Sequence, residues 1–111
     1  MDISKHDWKL FREKLPVWQE NYMDKLNKEY IALLSAEDKK ASEKFWELEK
    51  RIKDDRRHPG VIMRTTKSEA IWNIIDLIRA DVITTDDLCD FSDGLKQEIE
   101  MMLGRYNIEE Y

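Results

Sequence analysis

Two histidines, one cysteine and a run of aspartates are the side chains on which this chain could base chemistry. A thiol nucleophile needs a base within hydrogen-bond reach and surroundings that favour the thiolate. Cys89 is followed directly by Asp90, whose charge disfavours that form, and His6 and His58 lie far apart in sequence. A buried, inert cysteine is the expectation. Two histidines without a cysteine pair fall short of a zinc set. No P-loop, G-x-G-x-x-G, G-x-S-x-G or H-E-x-x-H string occurs. The sequence therefore points to no catalytic residue, no cofactor, no metal ligand and no enzymatic activity.

The aspartates Asp81, Asp86, Asp87, Asp90 and Asp93 invite a calcium interpretation, because Asp76 to Asp87 spans twelve residues with an acid at each end. Position three of that span is Ile78, position five is Ala80, and position six is Asp81 where the sharp turn of a calcium loop calls for glycine. The pattern instead predicts two helices joined by a turn with capped, solvated acids. Used to read DNA, its second helix would present Asp86, Asp87, Asp90 and Asp93 to a polyanion, which is electrostatically poor. The same acidic face suits a basic protein surface, or an inhibitor that imitates nucleic acid toward a nucleic-acid-binding enzyme.

Lys50, Arg51, Lys53, Arg56 and Arg57, with His58, Arg64 and Lys67 close by, form the densest basic run. Phosphate or nucleic-acid binding is one interpretation. The other is a solvated helix end whose cations complement the helix dipole. Asp54 and Asp55 interrupt the run, and no aromatic or glycine-rich element is interleaved with it. Nucleic acid is accordingly disfavoured, and the run could equally receive the acidic C-terminal region of the same or another subunit. The charge is unevenly divided along the chain. Residues 1–67 carry sixteen Lys/Arg against thirteen Asp/Glu, whereas residues 68–111 carry three against eleven. Such asymmetry favours a charged partner or self-association through opposite faces.

The elements that must position these groups read as helices. Glycine (3) and proline (2) are scarce in the 111 residues, which disfavours a fold built on hairpins and turns. Trp8, Phe11, Leu15, Trp18, Tyr22, Leu26, Tyr30 and Leu33 follow one another at steps of 3 or 4, so eight large side chains share one stripe of a helix over about 5–34. Ser4 with Asp7 resembles a capping box at its start. Pro16 interrupts the stripe, which keeps phase across it; one kinked helix or two helices meeting there would both serve. Core packing is the leading role for these aromatics. Trp8, Trp18, Tyr22 and Tyr30 are also the candidate interface residues, because a helix this long can outrun the domain that covers it and seam two copies together.

Ser35–Ser42 reads as a polar connection. Phe45, Leu48, Ile52 and Trp46 then mark the narrow apolar face of a charged helix ending near Arg57, with His58-Pro59-Gly60 as its stop. Glu49/Lys53 and Glu47/Arg51 have the four-residue spacing of helical ion pairs. Val61-Ile62-Met63 fits either an extended segment or a packed loop. Ile71, Ile74, Ile75 and Ile78 make an apolar helix of about 67–80, and Asp81-Val82-Ile83 a tight connector. Thr84 or Thr85 can cap a short helix with Asp86, Asp87 and Leu88, and Ser92 a last helix carrying Leu95, Ile99, Met102 and Leu103 to near Gly104.

Three stretches resemble a group of short, uncharacterised bacterial proteins. They are Asp7–Arg12 with Trp18–Met23, Ala41–Ile52, and Val82-Ile83-Thr84 with Asp86-Asp87-Leu88 and Phe91-Ser92-Asp93. Some members carry a "multidrug transporter" label, which a chain without an apolar run of roughly 20 residues cannot justify. The resemblance implies no activity and no functional residue. The combined expectation is an all-α chain: one helical domain over 1–111, a small bundle of about four helices with a long kinked aromatic-rich first helix. A lone cysteine and the absence of an apolar signal core favour the cytoplasm. The expected role is protein–protein interaction or regulation, with a second copy as one partner and no membrane contact. The alternatives are a nucleic-acid-associated regulator and an acidic inhibitor.

Overall fold

Helix α1 (Lys5–Ser35) runs unbroken through Pro16 in the computed structural model, which describes residues 2–109. Proline forfeits one intrahelical hydrogen bond, and the packing of the stripe on either side carries the helix across that gap. Three further helices follow: α2 (Ala41–Asp55), α3 (Ala70–Arg79) and α4 (Asp93–Glu109). A 3₁₀ turn over Thr85–Leu88 separates the last two, and no strand occurs among the described residues. The chain is all-α, as its periodicity predicts.

The core lies at one end of the molecule. Phe11 and Trp18 of α1 meet Ile71, Ile74, Ile75 and Leu77 of α3, Ile83 and Leu88 of the connection, and Leu95, Ile99 and Met102 of α4. Trp8, Phe11, Trp18 and Phe91 form a chain of rings with centroids 6.1–6.3 Å apart, within the range of favourable aromatic contacts. Helix α2 contributes no buried residue at all. With the second half of α1 it forms a two-helix arm projecting from the core. The projection explains a radius of gyration of 17.1 Å and a longest dimension of 52 Å, against about 13 Å expected for the radius of gyration of a compact chain near this length.

Local chemistry sets the helix ends. The Ser4 hydroxyl accepts the Asp7 amide N–H at 3.1 Å. Asp7 does not complete a capping box, however. Its carboxylate is buried and accepts from the Ser92 amide at 3.0 Å and the Ser92 hydroxyl at 2.6 Å, tying the first turn of α1 to the start of α4. Ser92 in turn caps α4 by accepting the Leu95 N–H. Helix α3 starts at Ala70 rather than 67, after a turn in which the Thr66 hydroxyl accepts from the Glu69 N–H. It closes with Asp81 at φ 62°, the Val82 N–H donating to the Leu77 carbonyl and the Asp81 N–H to that of Ile78. This is a Schellman closure with aspartate where glycine is usual. Helix α4 continues past Gly104 to Glu109. Glycine weakens a helix interior by only about 1 kcal/mol, and no glycine here has positive φ to break it.

Candidate functional site

The arm is organised by its base, where the turn after α2 is latched to α1. Gln19 Nε2 donates to the Pro59 carbonyl at 3.0 Å. The His58 ring stacks on Tyr22 with centroids 4.5 Å apart and planes 3° from parallel. His58 Nδ1 accepts the Gly60 N–H at 3.0 Å, so the neutral ring carries its proton on Nε2, 3.3 Å from the Tyr22 oxygen. Gly60 lies against that phenol; a Cβ there would fall 2.8 Å from Tyr22 Cε2 and closer still to Cδ2. Glycine is therefore required by close approach.

Higher on the arm, one side is polar and paired. Tyr30 Oη donates to Asp55 at 2.5 Å. Arg51 reaches Glu29 at 3.3 Å and Asp55 at 3.6 Å, with its guanidinium 5.4 Å from the Tyr30 ring centre. Arg51 thus pairs with Glu29 across the helix pair and with Asp55 on its own helix rather than with Glu47, which bonds Lys39 at 2.7 Å; the expected Glu49/Lys53 pair forms at 2.9 Å. Burial, the hydrogen bond to Asp55 and the nearby carboxylate push the Tyr30 hydroxyl up to about 12. Burial and the charges of Asp55 and Glu29 also raise Tyr22. Exposed ion pairs contribute roughly 0–1 kcal/mol each, so the Tyr30–Asp55 bond, whose acceptor is charged, is the stronger tie.

Large apolar side chains on both arm helices are nonetheless open to solvent. Phe45 is 62% exposed, Trp46 63%, Ile31 62%, Leu34 46% and Ile52 45%. Phe45 and Trp46 pack edge to face on each other with centroids 5.0 Å apart. A groove of about 310 Å³ between α1 and α2 is lined by apolar Met23, Leu26, Ile52 and Val61 and by polar Asn27, Arg56 and the bonded pair Tyr30–Asp55. The apolar face read on α2 thus exists, but only Leu48 of its residues is half-buried. Ile62, in the irregular segment after the turn, is exposed as well, between half-buried Val61 and Met63.

Of the candidate interface aromatics, Tyr30 lines this groove and the other three sit elsewhere. Trp18 is buried in the core, Trp8 is half-buried under the Arg12 guanidinium, and Tyr22 and Tyr30 hold the two arm helices together. Of the basic run, Arg51 and Lys53 are paired, while Lys50, Arg56, Arg57, Arg64 and Lys67 are exposed without an ion-pair partner among the described residues. The acids have local work: Asp87 accepts the Thr84 N–H at 2.8 Å, Asp90 pairs with Lys14 at 3.0 Å, and Asp93 lies 3.4 Å from Lys96. Asp81 closes α3, and Asp86 is exposed in the first turn of the 3₁₀ segment. Lys14 holds the Asp90 carboxyl below its ordinary value. Among the described residues none of these acids pairs with the basic run; Asp90 and Asp93 pair with Lys14 and Lys96.

Cys89 is exposed, contrary to the buried thiol expected from sequence. The neighbouring apolar residues Leu88 and Phe91 take the inward positions of that tight segment and turn Cys89 outward. No group of three or more His, Cys, Asp or Glu among the described residues could hold a metal ion. No helix among them is long and apolar enough to cross a membrane. Comparison of the chain with protein-family models, curated proteins and solved structures finds no match. What sequence reasoning missed is the open side of the arm: the apolar spacing of α2 was legible, but its lack of a cover was not.

Proposed function

We propose that this chain is a small cytoplasmic protein–protein interaction module in which the core end is a platform and the apolar side of the arm is the working surface. The observation that carries this reading is the exposure of five large apolar side chains on two adjoining helices of the arm. Proteins in water seldom leave a contiguous apolar patch of several hundred Å² uncovered without a binding role. Four of the residues are aliphatic or aromatic anchors of the kind that dominate helix-mediated contacts, and Trp46 is the type most often found to carry binding energy. The exposed thiol of Cys89 fits a reducing compartment.

A photoreactive residue at Trp46, compared with one at Lys25 beyond the groove, tests this in cells. Covalent adducts concentrated at position 46 are expected. Equal or absent labelling at the two positions would refute the assignment. A second reading, a nucleic-acid-associated regulator, is favoured by the exposed cations Lys50, Arg56, Arg57, Arg64 and Lys67. It requires retention on DNA or RNA that weakens steeply with salt, and no retention at low salt would remove it.

A further inference from the structure

Resting on the reading of the arm as a binding surface, we infer that its occupant is a second copy of the same arm, packed antiparallel about a two-fold axis to form four helices. Three features of the chain converge on this. The first is register. Met23, Asn27, Tyr30 and Leu34 follow at steps of 4, 3 and 4 on α1, and Phe45, Leu48 and Ile52 at steps of 3 and 4 on α2. That is the seam spacing of helices that pack along their length; Met23, Asn27, Tyr30 and Ile52 line the groove, and exposed Leu34 and Phe45 carry the two rows on to the tip.

The second feature is charge. Residues 20–57 hold ten Lys/Arg and ten Asp/Glu, so the arm is neutral and the whole net charge of −5 falls on the remainder of the chain. Two arms meet without net repulsion, and pairs such as Asp24–Lys28 and Glu49–Lys53 offer both signs at the surface. Antiparallel packing sends the two acidic core ends to opposite poles of an assembly whose single chain already spans 52 Å. At physiological salt, charges separated by much more than about 8 Å are largely screened. Parallel packing would instead bring the two acidic ends side by side.

The third feature is area. Aromatic side chains present about 150–250 Å² each, so the five exposed residues together leave on the order of 500 Å² of apolar surface in water. A standard interface buries about 800 Å² per partner, with roughly 60% of it apolar. The patch therefore has the size and composition that one half of a homodimer needs. In the antiparallel arrangement the tip residues Leu34 and Phe45 of one copy come over the groove at the base of the other, where 310 Å³ leaves room for such side chains.

Light scattering across concentration should give twice 13.4 kDa. Phe45→Glu, Trp46→Glu and Ile31→Glu should each raise the dimer dissociation constant at least about tenfold. Because all three side chains are exposed, their helicity and core melting should match the unsubstituted protein. With Cys89→Ser, spin labels at Glu37→Cys report orientation: tips about 20 Å apart, the length of the arm's overlap, support antiparallel packing, and tips in contact overturn it. A mass of 13.4 kDa at every concentration, or a dimer insensitive to all three substitutions, overturns self-association. Monomer mass together with Trp46 adducts to a heavier protein leaves the binding surface standing and removes only the second copy. Monomer mass without adducts removes both.

Discussion

Replacing Asp7 by alanine should destabilise the fold far more than removal of one carboxylate from a surface would. Asp7 is buried and accepts two hydrogen bonds from a residue 85 positions away, the Ser92 amide and its hydroxyl. Hydrogen bonds to a charged group contribute about 1.5–3 kcal/mol each, and a carboxylate at a helix start gains further from the dipole of α4. Against this stands the cost of keeping the carboxylate out of water. Ser92 is exposed, so its freed donors can return to solvent, which lessens the loss. The balance is about 2–3 kcal/mol, a large share of the roughly 5–15 kcal/mol that holds a domain of this size. Urea unfolding should show a midpoint lower by about 1 M with an unchanged slope. Asp7→Asn, which retains one acceptor oxygen, should lose about half as much. The double variant Asp7→Ala/Ser92→Ala should cost more than Asp7→Ala alone only by the lost cap of α4, about 1 kcal/mol, leaving a coupling of about 1–2 kcal/mol between the two side chains. A loss under about 0.5 kcal/mol, or additive single effects, would show that this bond does not join α1 to α4 energetically.

Asp81→Gly should stabilise the protein by about 0.5–1 kcal/mol, raising Tm by a few degrees, because φ 62° is strained for aspartate and free for glycine; an unchanged or lower Tm counts against the Schellman closure. Gly60→Ala should destabilise by about 1–3 kcal/mol through overlap with the Tyr22 ring, and the penalty should largely vanish in a Tyr22→Ala background; persistence there would locate the strain elsewhere. Burial and the Asp55 bond raise Tyr30, so its stabilising contribution holds below the ordinary tyrosine value and is lost as pH rises through about 12. Absorbance titration should show, beside the also raised Tyr22, a late phenolate that disappears in Tyr30→Phe and moves down in Asp55→Asn. The Lys14 ammonium lowers Asp90, so that pair stabilises above the ordinary aspartate value and fades as pH falls through the lowered one; Lys14→Met should flatten this acid limb, and added salt should weaken the pair even at neutral pH.

Much of the local architecture was legible because its causes lie within a few residues. The stripe from Trp8 to Leu33 marks a helical face, since spacings of 3 and 4 keep side chains on one side, while only the fold shows that a single helix runs through Pro16. Thr84 and Ser92 stand where short polar side chains can accept amides from the first helical turn, and both segments begin there. The isoleucines of α3 read as core and are core: Ile71, Ile74 and Ile75 are buried. His58-Pro59-Gly60 marks a stop, although only the fold reveals that the stop is latched to Gln19 and Tyr22.

Tertiary structure alone decided which periodic apolar faces acquire a cover. Phe45, Leu48 and Ile52 have the same helical spacing as the isoleucines of α3, yet α2 packs on the far half of α1 and buries no residue, while α3 lies among α1, the 3₁₀ segment and α4. Periodicity names a face; burial depends on how many elements close over it. The same holds for Asp7, whose capping partner in sequence is Ser4 but whose carboxylate finds Ser92 across the core, and for Cys89, turned outward because Leu88 and Phe91 occupy the interior. Helix, cap and turn were settled by interactions three to five residues long. The arm and its uncovered side were settled by chain segments that meet only once the core has formed.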